Sequence, residues 1–571
     1  MSLVKKDYFQ ASKDFDFDAT VSDAISGNFT AMNACYECCD RHAVNGAVAL
    51  IQENADGSSS RHSYAELRDQ SAQFAHYLSS QGIQAGDVVA GLLPRGHALT
   101  VTILGVWRIG AIYQPLFTAF GPKAIEHRLQ TSAAKLVVTD ADNRSKLLDV
   151  QLCPAVMTVT DAQGAGLESA DCDFWPTIEA LSTDFDPVMR SGDDPFLLMF
   201  TSGTTGLAKP LQVPLRAIVA FQRYMIDAVG LRADDSFWNV ADPGWAYGLY
   251  FGITGPMSMG LPVLSVAGLF NLDRCLDIAK KYDVNNLAGA PTVFRMLIAA
   301  GAQVADQWTE QLRAVSSAGE PLNPEVIRWF KEHLNVAIND HYGQTEMGMV
   351  LCNHHNLEHP MHMGAAGYAS PGHRVVVIDE QTLQELPAGV PGILSVDTKQ
   401  SPMFWFNGYK DMQTNAFQDR YYLTGDTAEL NTDGSISFVG RSDDVITTSG
   451  YRVGPFDVES ALLEHPAVIE AAVVGKPDVQ RTEIIKAFVI LQDGYAGTPE
   501  LAEELRLHVR NRLAAHAYPR EIEFPDELPK TPSGKVQRFI LRLNEINKQQ
   551  AQQEQEQEQQ QEQQAAKQAA C

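Results

Sequence analysis

Two hydrophobic periodicities alternate along most of the chain. Between about residues 60 and 400, helix-type patterns such as Tyr64 to Gln81 alternate with short apolar runs such as Val88 to Leu93 and Leu136 to Thr139. An alternation of this kind is typical of α/β units built on largely parallel sheets. The sequence therefore predicts a large N-terminal α/β domain.

The pattern changes after a polar, turn-rich stretch, Gly440 to Asp444. New strand-like runs follow at Val468 to Val474 and Ile484 to Leu491, and a helical pattern covers Pro499 to Leu513. We interpret this part as a small α+β domain joined to the large one by a hinge. The predicted divisions are a large domain over residues 1–440, a hinge over 441–445, a small domain over 446–545 and a tail over 546–571. The tail is almost entirely Gln, Glu and Ala, which suits either a solvated helix or a disordered segment.

Length and charge restrict the function classes. The chain of 571 residues exceeds the roughly 250 to 300 residues at which single cores stop growing, so at least two domains are expected. Its formal charge of −26 argues against nucleic acid as a partner, because a polyanion needs a basic surface. The chain has no uncharged apolar run of about 18 residues to span a membrane, and Met1 to Tyr8 lack the apolar core of a secretory signal. We therefore expect a cytoplasmic protein.

Four residues have a spacing that permits a zinc site: Cys35, Cys38, Cys39 and His42. The segment Asn33 to His42 also has the pattern of an amphipathic helix, in which cysteine behaves as a small hydrophobe. The sequence has no second ligand pair with zinc-like spacing, so we favour the helix. The eight cysteines are expected to be free thiols in a reducing compartment.

A loop rich in glycine and hydroxyl groups runs from Thr201 to Lys209, directly after the apolar run Phe196 to Phe200. Glycines at a strand end let backbone N–H groups approach an anion, and Lys209 adds a positive charge. The spacing is not that of a Walker A loop, because Pro210 stands where that motif has Ser or Thr. The loop predicts a polyphosphate site, with a plain turn as the alternative.

Further polar blocks follow in a fixed order. They are Ser316 to Pro321, Asp340 to Gly348, Tyr421 to Asp426, Gly440 to Asp444, Ser449 to Arg452 and Leu528 to Lys535. The first two come after apolar strand-like runs, and we interpret them as loops at strand ends, where α/β folds place ligands.

In this order and spacing the blocks and the first loop resemble the AMP-forming acyl-CoA synthetases of the adenylate-forming superfamily, which includes luciferases and peptide-synthetase adenylation domains. The resemblance covers about residues 30 to 545. Asp340 to Glu346 and Val479 to Phe488 look most like the medium-chain branch, with acetyl-CoA synthetases as the next neighbour. The resemblance implies that a carboxylic acid reacts with ATP to acyl-AMP and pyrophosphate, with Mg²⁺ as cofactor, and that CoA then displaces AMP.

The resemblance also assigns roles to residues. The expected ATP and AMP contacts are Thr201, Ser202, Gly203, Thr204, Thr205, Gly206, Gly319, Glu320, Pro321, Asp340, His341, Tyr342, Gly343, Gln344, Asp426 and Arg441. The expected catalytic residues are Lys209, Thr345, Glu346 and Lys535, with Thr345 and Glu346 contacting phosphate and Mg²⁺. The expected hinge residue is Asp443, and the expected CoA contacts are Ser449, Gly450, Tyr451, Arg481, Tyr518, Pro519 and Arg520. Arg452 completes its block without an assigned role.

The acyl pocket is expected to set the choice of acid. Acetyl-CoA synthetases carry at the position of Gly343 a tryptophan that caps a small cavity, so glycine favours a short- to medium-chain acid. The candidate walls are Trp245, Tyr247, Ala318 and Met347, whose alternative role is ordinary core packing. If Trp245 and Tyr247 refill the cavity, the alternative is an acetyl- or propionyl-CoA synthetase.

A different class, a non-catalytic nucleotide-binding scaffold, is disfavoured because Lys209, Glu346, Asp426 and Lys535 are all retained. Related synthetases are switched off by acetylation at the lysine that matches Lys535, since acetylation removes its charge. A lysine acetyltransferase is therefore an expected partner.

Overall fold

The structure is a computed structural model. It describes residues 5–161, 164–201, 208–268, 271–301, 308, 312–442, 444–448, 451–478, 480–513, 517–531 and 535–550. The fold is built from two mainly parallel sheets, an antiparallel sheet beside them and a separate C-terminal sheet.

The first sheet has seven strands. In spatial order they are Lys209–Pro214, Pro195–Thr201, Ile112–Pro115, Val88–Leu92, Leu136–Asp140, Ala155–Val159 and Cys172–Asp173. Every neighbouring pair is parallel except Pro195–Thr201 with Lys209–Pro214. The antiparallel pair is joined by the first loop, so this loop connects two strands rather than a strand and a helix.

The second sheet has six strands. In spatial order they are Phe237–Asn239, Asn286–Gly289, Ala314–Ala318, Ile338–Gln344, Gly348–Cys352 and Tyr368–Ala369. The first four are parallel and the last two pairings are antiparallel. Both sheets thus confirm the predicted α/β architecture of the large domain.

Two local predictions are wrong in part. The first three residues of the block Ser316 to Pro321, expected as a loop, belong to the strand Ala314–Ala318. Asp340 to Gln344, expected as a loop, lie inside the strand Ile338–Gln344, which turns at once into Gly348–Cys352. The polar side chains are tolerated there because they have hydrogen-bond partners: Asp340 accepts from the backbone N–H of Leu322, and His341 bonds Tyr224 and Asn353.

The antiparallel sheet follows in the chain and was not predicted. Its strands are Val375–Ile378, Gly392–Asp397, Phe417–Gln418, Tyr421–Leu430 and Ile436–Arg441. Smaller sheets are formed by Val48–Glu53, Ser59–Ser63 and Val263–Val266, and by Lys6–Asp7 with Leu357–Glu358. The C-terminal sheet contains Ile446–Thr448, Tyr451–Val453, Val468–Asp478, Thr482–Leu491 and Glu521–Glu523.

Helices cover the sheets. Those of the large domain are Tyr8–Lys13, Phe17–Ala24, Ala34–Cys38, Tyr64–Ser80, His97–Arg108, Pro122–Ser132, Ala141–Arg144, Phe174–Glu179, Ala217–Asp227, Ala246–Gly248, Gly255–Ser258, Leu272–Lys281, Pro291–Ala299 and Pro324–His333. The small domain adds Pro455–Leu463 and Pro499–Arg512, and residues 538–550 are also helical. In the described ranges, no helix combines the length and the apolar character that crossing a membrane requires.

The cysteine cluster is a core element, as the sequence favoured. Cys35 and Cys38 lie in the helix Ala34–Cys38, and both are fully buried, as is Cys39. Within the described part of the chain, no group of three or more His, Cys, Asp and Glu side chains is placed to hold a metal ion. The seven cysteines that the structure describes are unpaired.

The helix Tyr64–Ser80 shows how the sequence dictates a boundary. Ser63 accepts a hydrogen bond from the backbone N–H of Glu66 at 3.2 Å, and the Glu66 carboxylate accepts from the Ser63 N–H at 2.7 Å. This reciprocal capping box satisfies donors that the first turn otherwise leaves unpaired. It fixes the helix start at the predicted residue.

We expect Ser63→Ala to loosen this first turn by about 1 kcal/mol, because the N–H of Glu66 loses its acceptor. Amide hydrogen exchange of Glu66 should then accelerate roughly fivefold. Ser80→Ala is the matched control, since the Ser80 hydroxyl donates to the Tyr77 carbonyl at the other end of the helix. Equal exchange at Glu66 in both variants would contradict a capping role.

Candidate active site

The predicted nucleotide residues lie on neighbouring strands of two sheets. Tyr342 and Gln344 end one strand of the second sheet, and Gly319 follows the strand beside it. Asp426 and Arg441 come from the antiparallel sheet, where they are direct register partners. The fold therefore brings these blocks together, although Gly319 and Arg441 are 122 positions apart in the sequence.

A buried carboxylate lies where the two sheets meet. Asp426 is 4% exposed and accepts hydrogen bonds from the Tyr342 hydroxyl and from Gln344 Nε2 at 3.1 Å. Arg441 Nε lies 3.6 Å from the other carboxylate oxygen of Asp426. The Gln344 amide is itself oriented by the Tyr422 hydroxyl, 2.9 Å from its Oε1. The Asp426 carboxylate is thus held in one orientation by groups that favour its charge.

The Tyr342 hydroxyl remains a donor in this arrangement. Burial and the charge of Asp426 raise the pKa of Tyr342, so the phenol keeps its proton at neutral pH. An aligned carboxylate of this kind can accept bonds from two vicinal hydroxyls, as a ribose presents them.

A second carboxylate lies beside the first loop. Glu346 is 9% exposed, and its Oε1 accepts a hydrogen bond from the Tyr409 hydroxyl at 2.7 Å. Lys209 Nζ lies 5.1 Å from the centroid of the Tyr409 ring, a cation–π contact. Burial raises the pKa of Glu346, while the bond from Tyr409 and the cations Arg441 and Lys209 oppose that shift. Glu346 and Lys209, both predicted, thus share one aromatic support.

Tyr409 was not predicted, although it contacts two of the expected catalytic residues. Its backbone bridges Leu211, and Lys410 N donates to Pro210 O at 2.9 Å, which holds this segment against the strand that carries Lys209. The available signal was the aromatic run Phe404 to Tyr409, which periodicity alone assigns to a core.

The first loop itself is only partly described. Thr201 and Lys209 are register partners at its two ends. The predicted phosphate contacts Ser202, Gly203, Thr204, Thr205 and Gly206 lie outside the described residues. Asp443, Ser449 and Gly450 also lie outside them, and for Arg452 the structure describes the backbone in Tyr451–Val453.

Lys535 reaches this region from the small domain. Gly319 has φ of +103°, and a β-carbon built on it would lie 3.8 Å from Lys535 Cε and 4.0 Å from Nζ. The glycine therefore permits both the backbone conformation and the approach of the lysine. The structure brings the predicted catalytic lysine to the loop predicted to frame adenine.

Two predicted adenine contacts point into the interior. Asp340 accepts from the Leu322 N–H at 3.1 Å, and His341 lies 2.7 Å from the Tyr224 hydroxyl and 3.2 Å from the Asn353 carbonyl. Burial lowers the pKa of His341, so the imidazole is neutral. These side chains stabilise the strand Ile338–Gln344. Because both point into the interior, the backbone of the two residues is the part that remains available to a ligand.

The remaining predicted contacts are engaged by neighbours. Glu320 forms an ion pair with Arg295 at 3.3 Å, and Pro321 follows it in the same loop. The Thr345 carbonyl accepts from the Tyr250 hydroxyl at 3.1 Å. These contacts fix the loop after Ala314–Ala318 and the turn after Ile338–Gln344.

The candidate acyl-pocket residues divide into two groups. Trp245 packs against Phe117 and Phe120, with ring centroids 5.3 and 5.7 Å apart. Tyr247 and Met347 belong to the main core of the large domain instead, where the Tyr247 hydroxyl lies 3.3 Å from that of Tyr224. Ala318 is also buried.

The structure explains why position 343 is a glycine, a reason that the sequence did not reveal. A β-carbon built on Gly343 would lie 2.0 Å from the Gly348 carbonyl oxygen. The two strands approach so closely that this backbone accommodates no side chain at the position. Glycine is therefore needed for the tight turn, whatever its effect on an acyl pocket.

An aromatic ring surrounded by arginines marks the small domain. Arg520 Cζ lies 4.3 Å from the Tyr518 ring centroid, and Arg506 and Arg510 each lie 5.7 Å from it. Arg506 and Arg510 were not among the predicted residues, and their only sequence signal was two basic positions four apart on one helix. In an acidic chain this cluster is suited to a polyanion.

The other predicted CoA contacts lie in or next to strands of the C-terminal sheet. Tyr451 is 52% exposed, Arg481 is half-buried in the turn before Thr482–Leu491, and Pro519 is buried.

Comparisons with known proteins match both the N-terminal and the C-terminal part of the chain. A family model described as AMP-binding enzyme matches residues 35–409, and one described as AMP-binding enzyme C-terminal domain matches residues 457–535. Acetyl-coenzyme A synthetase of Bacillus subtilis is 38% identical over 95% of this chain and 96% of its own length. The mitochondrial acyl-coenzyme A synthetase ACSM4 of Rattus norvegicus is 34% identical over 87% of this chain and 86% of its own. The crystal structure of an acyl-CoA synthetase from Brucella canis has a TM-score of 0.78 at 57% identity and covers 95% of this chain and 100% of that one.

The buried Asp340 gives a pH prediction. Burial raises the pKa of Asp340 to about 7, whereas an unfolded Asp titrates near about 4. Between these values the folded chain holds a proton that the unfolded chain has released, so this residue makes the free energy of unfolding fall as pH rises.

Asp340→Asn removes that titration and keeps an acceptor for the Leu322 N–H. The stability of the variant relative to the natural protein should therefore rise from about pH 4 to 7, by at most about 1.4 kcal/mol per pH unit, and then level off. Urea unfolding across this range measures it. A stability difference that does not change with pH would contradict the buried, protonated carboxyl.

Proposed function

The chain belongs to the AMP-binding enzyme family and is an AMP-forming acyl-CoA synthetase, and we propose that it activates a short- to medium-chain carboxylic acid at the site described above. The observation that supports these residue roles is the position of Lys535 beside Gly319, in the same region as the aligned carboxylate of Asp426. The proposed division is a large domain over 1–440, a hinge over 441–445 around Asp443, a mobile small domain over 446–545 and a tail over 546–571.

In the first half-reaction an oxygen of the acid attacks the α-phosphorus of ATP, and the bond to pyrophosphate breaks. Asp426 would accept bonds from both ribose hydroxyls, and Lys209 with the first loop would face the β- and γ-phosphates. Lys535 would approach the α-phosphate and the acid, where negative charge gathers. Fixed cations and donors of this kind supply most of the catalysis in phosphoryl transfer.

In the second half-reaction the CoA thiol attacks the acyl carbonyl, and AMP leaves with the oxygen that the acid contributed. Tyr451, Arg481, Tyr518, Pro519 and Arg520 are the proposed CoA contacts, together with Ser449 and Gly450. The arginines around Tyr518 support this role, because CoA carries several phosphate charges.

Mg²⁺ is the proposed cofactor. Glu346 fits this ion, since it is a buried carboxylate whose pKa burial raises, and a cation would favour its charged form. Glu346 and Thr345 would hold Mg²⁺ through the phosphates, and the ion would neutralise phosphate charge. Tyr409 would keep Glu346 oriented toward it.

The chain is similar both to an acetyl-coenzyme A synthetase and to a mitochondrial acyl-coenzyme A synthetase, so the length of the acid is the open choice. We favour an acid longer than propionate because the Gly343 position accommodates no capping side chain. Trp245, Tyr247, Ala318 and Met347 remain the proposed walls. Each additional buried CH₂ contributes about 0.8 kcal/mol, or roughly three- to fourfold in specificity per carbon.

We further propose a role in fatty acid metabolism, a cytoplasmic location and control by a lysine acetyltransferase at Lys535. The exposed position of Lys535 supports the last of these, since a transferase must reach the ammonium group. Acetylation would remove the charge that the first half-reaction uses.

Lys535→Ala should lower acid-dependent ATP–pyrophosphate exchange by about 100-fold or more, because a charge directed at the transition state is lost. Thioester formation from supplied acyl-AMP should persist. Lys530→Ala is the matched control, since Lys530 pairs with Glu470 at 2.7 Å in the same segment. Intact exchange in Lys535→Ala, or equal losses in both half-reactions, would contradict the assigned role.

Specificity is measured by CoA-dependent AMP release with straight acids from acetate to octanoate, and with isobutyrate, 2-methylbutyrate and benzoate. We expect the highest kcat/KM with butyrate or a longer or branched acid. An optimum at acetate or propionate would show instead that Trp245 and Tyr247 close the pocket, as in the alternative function.

A further inference from the structure

Two contacts join residues in or next to the helix Pro324–His333 of the large domain to residues in or next to the helix Pro455–Leu463 of the small one. Asn323 Nδ2 donates to Ser460 Oγ at 2.9 Å, and Arg328 lies 3.3 Å from Glu464 Oε1. Asn323 is 4% exposed, so water does not readily replace this hydrogen bond.

These contacts are connected to the catalytic lysine at both ends. In the large domain, Asn323 follows Gly319 by four positions. In the small domain, Glu459 precedes Ser460 and forms a two-pronged ion pair with Arg538, at 2.7 and 2.9 Å. Arg538 in turn follows Lys535 by three positions. These contacts and short sequence separations thus link the Gly319 loop, through the domain interface, to Lys535.

The ion pair between the domains is built to exchange partners. Arg328 also bonds Glu325 of its own helix, at 2.8 Å. Glu464 also forms a two-pronged pair with Arg512 of the small domain. If the domains separate, each charge keeps a partner within its own domain, so neither is left unpaired. The contact therefore orients the small domain at little cost to its release.

We propose that Arg328–Glu464 and Asn323–Ser460 form a latch that seats Lys535 beside Gly319 and so acts as a positioning device for the first half-reaction. This inference rests on the proposed function. The latch residues are not among the residues proposed above to contact ATP, the acid or CoA, and they act through Lys535. Their loss should therefore impair acyl-AMP formation and spare thioester formation from supplied acyl-AMP, as a weaker version of Lys535→Ala.

The test uses the full chain with Arg328→Gln, Asn323→Ala and the double variant. Each single change should lower acid-dependent ATP–pyrophosphate exchange about two- to fivefold, and both together roughly tenfold. Thioester formation from supplied acyl-AMP should stay within about twofold and reports that the variants are folded. Lys331→Gln is the matched control: it removes a charge from the same helix, where Lys331 bonds Asn335 at 3.3 Å.

A second readout separates positioning from a general structural role. In the Lys535→Ala background, Arg328→Gln should cause no further loss of exchange, because the group that it positions is absent. Three results would overturn the latch. They are unchanged exchange in the variant that combines Arg328→Gln and Asn323→Ala, equal losses in both half-reactions, and a further loss when Arg328→Gln is added to Lys535→Ala. If the unmutated protein shows no acid-dependent exchange, the proposed function itself is contradicted. Failure of the latch and failure of the proposed function are therefore distinguishable.

Discussion

The site depends on one interaction between two sheets, the hydrogen-bonded carboxylate of Asp426. Tyr342 and Gln344 approach it from the mainly parallel sheet, and Arg441 approaches it from the strand beside its own. A buried carboxylate without such partners would shift toward its neutral form. Because these donors are fixed by both sheets, the acceptor is aligned before any ligand arrives, and binding need not order it.

A second constraint is that Lys535, the proposed catalytic lysine, comes from the small domain. In the structure Lys535 lies beside Gly319 while the small domain contacts Asn323 and Arg328 of the large one. The groups that make these two contacts are polar, in contrast to the large apolar cores within each domain. Contacts of this type stabilise an arrangement weakly and permit relative motion of domains. Such motion suits an enzyme that must bring ATP and later CoA to the same acyl group.

The sequence predicted the features that depend on local pattern. The helix Tyr64–Ser80 begins at the predicted residue because Ser63 and Glu66, which are close in sequence, form its capping box. The α/β class followed from alternating periodicity, and the order of the polar blocks led to the family. The strand Ile338–Gln344 was missed because its polar residues resemble a loop until their partners Tyr224, Leu322 and Asn353 are known.

Contacts between distant positions explain the other omissions. Tyr409 supports Glu346 and Lys209 across 63 and 200 positions, and no local pattern encodes such a contact. The close approach of Gly348 to Gly343 likewise appears only when the turn between the two strands is built. The sequence thus supplied the chemistry of the site, and the fold supplied its supporting residues.

The most direct test of the central claim follows the oxygen of the acid. Incubation with ATP, CoA and a carboxylic acid labelled with oxygen-18 should place a single labelled oxygen in AMP, because the attacking oxygen remains on the α-phosphorus when the thiol displaces the acyl group. Mass spectrometry of AMP and pyrophosphate measures this. Unlabelled AMP, label in pyrophosphate, or formation of ADP and phosphate would contradict the acyl-adenylate route.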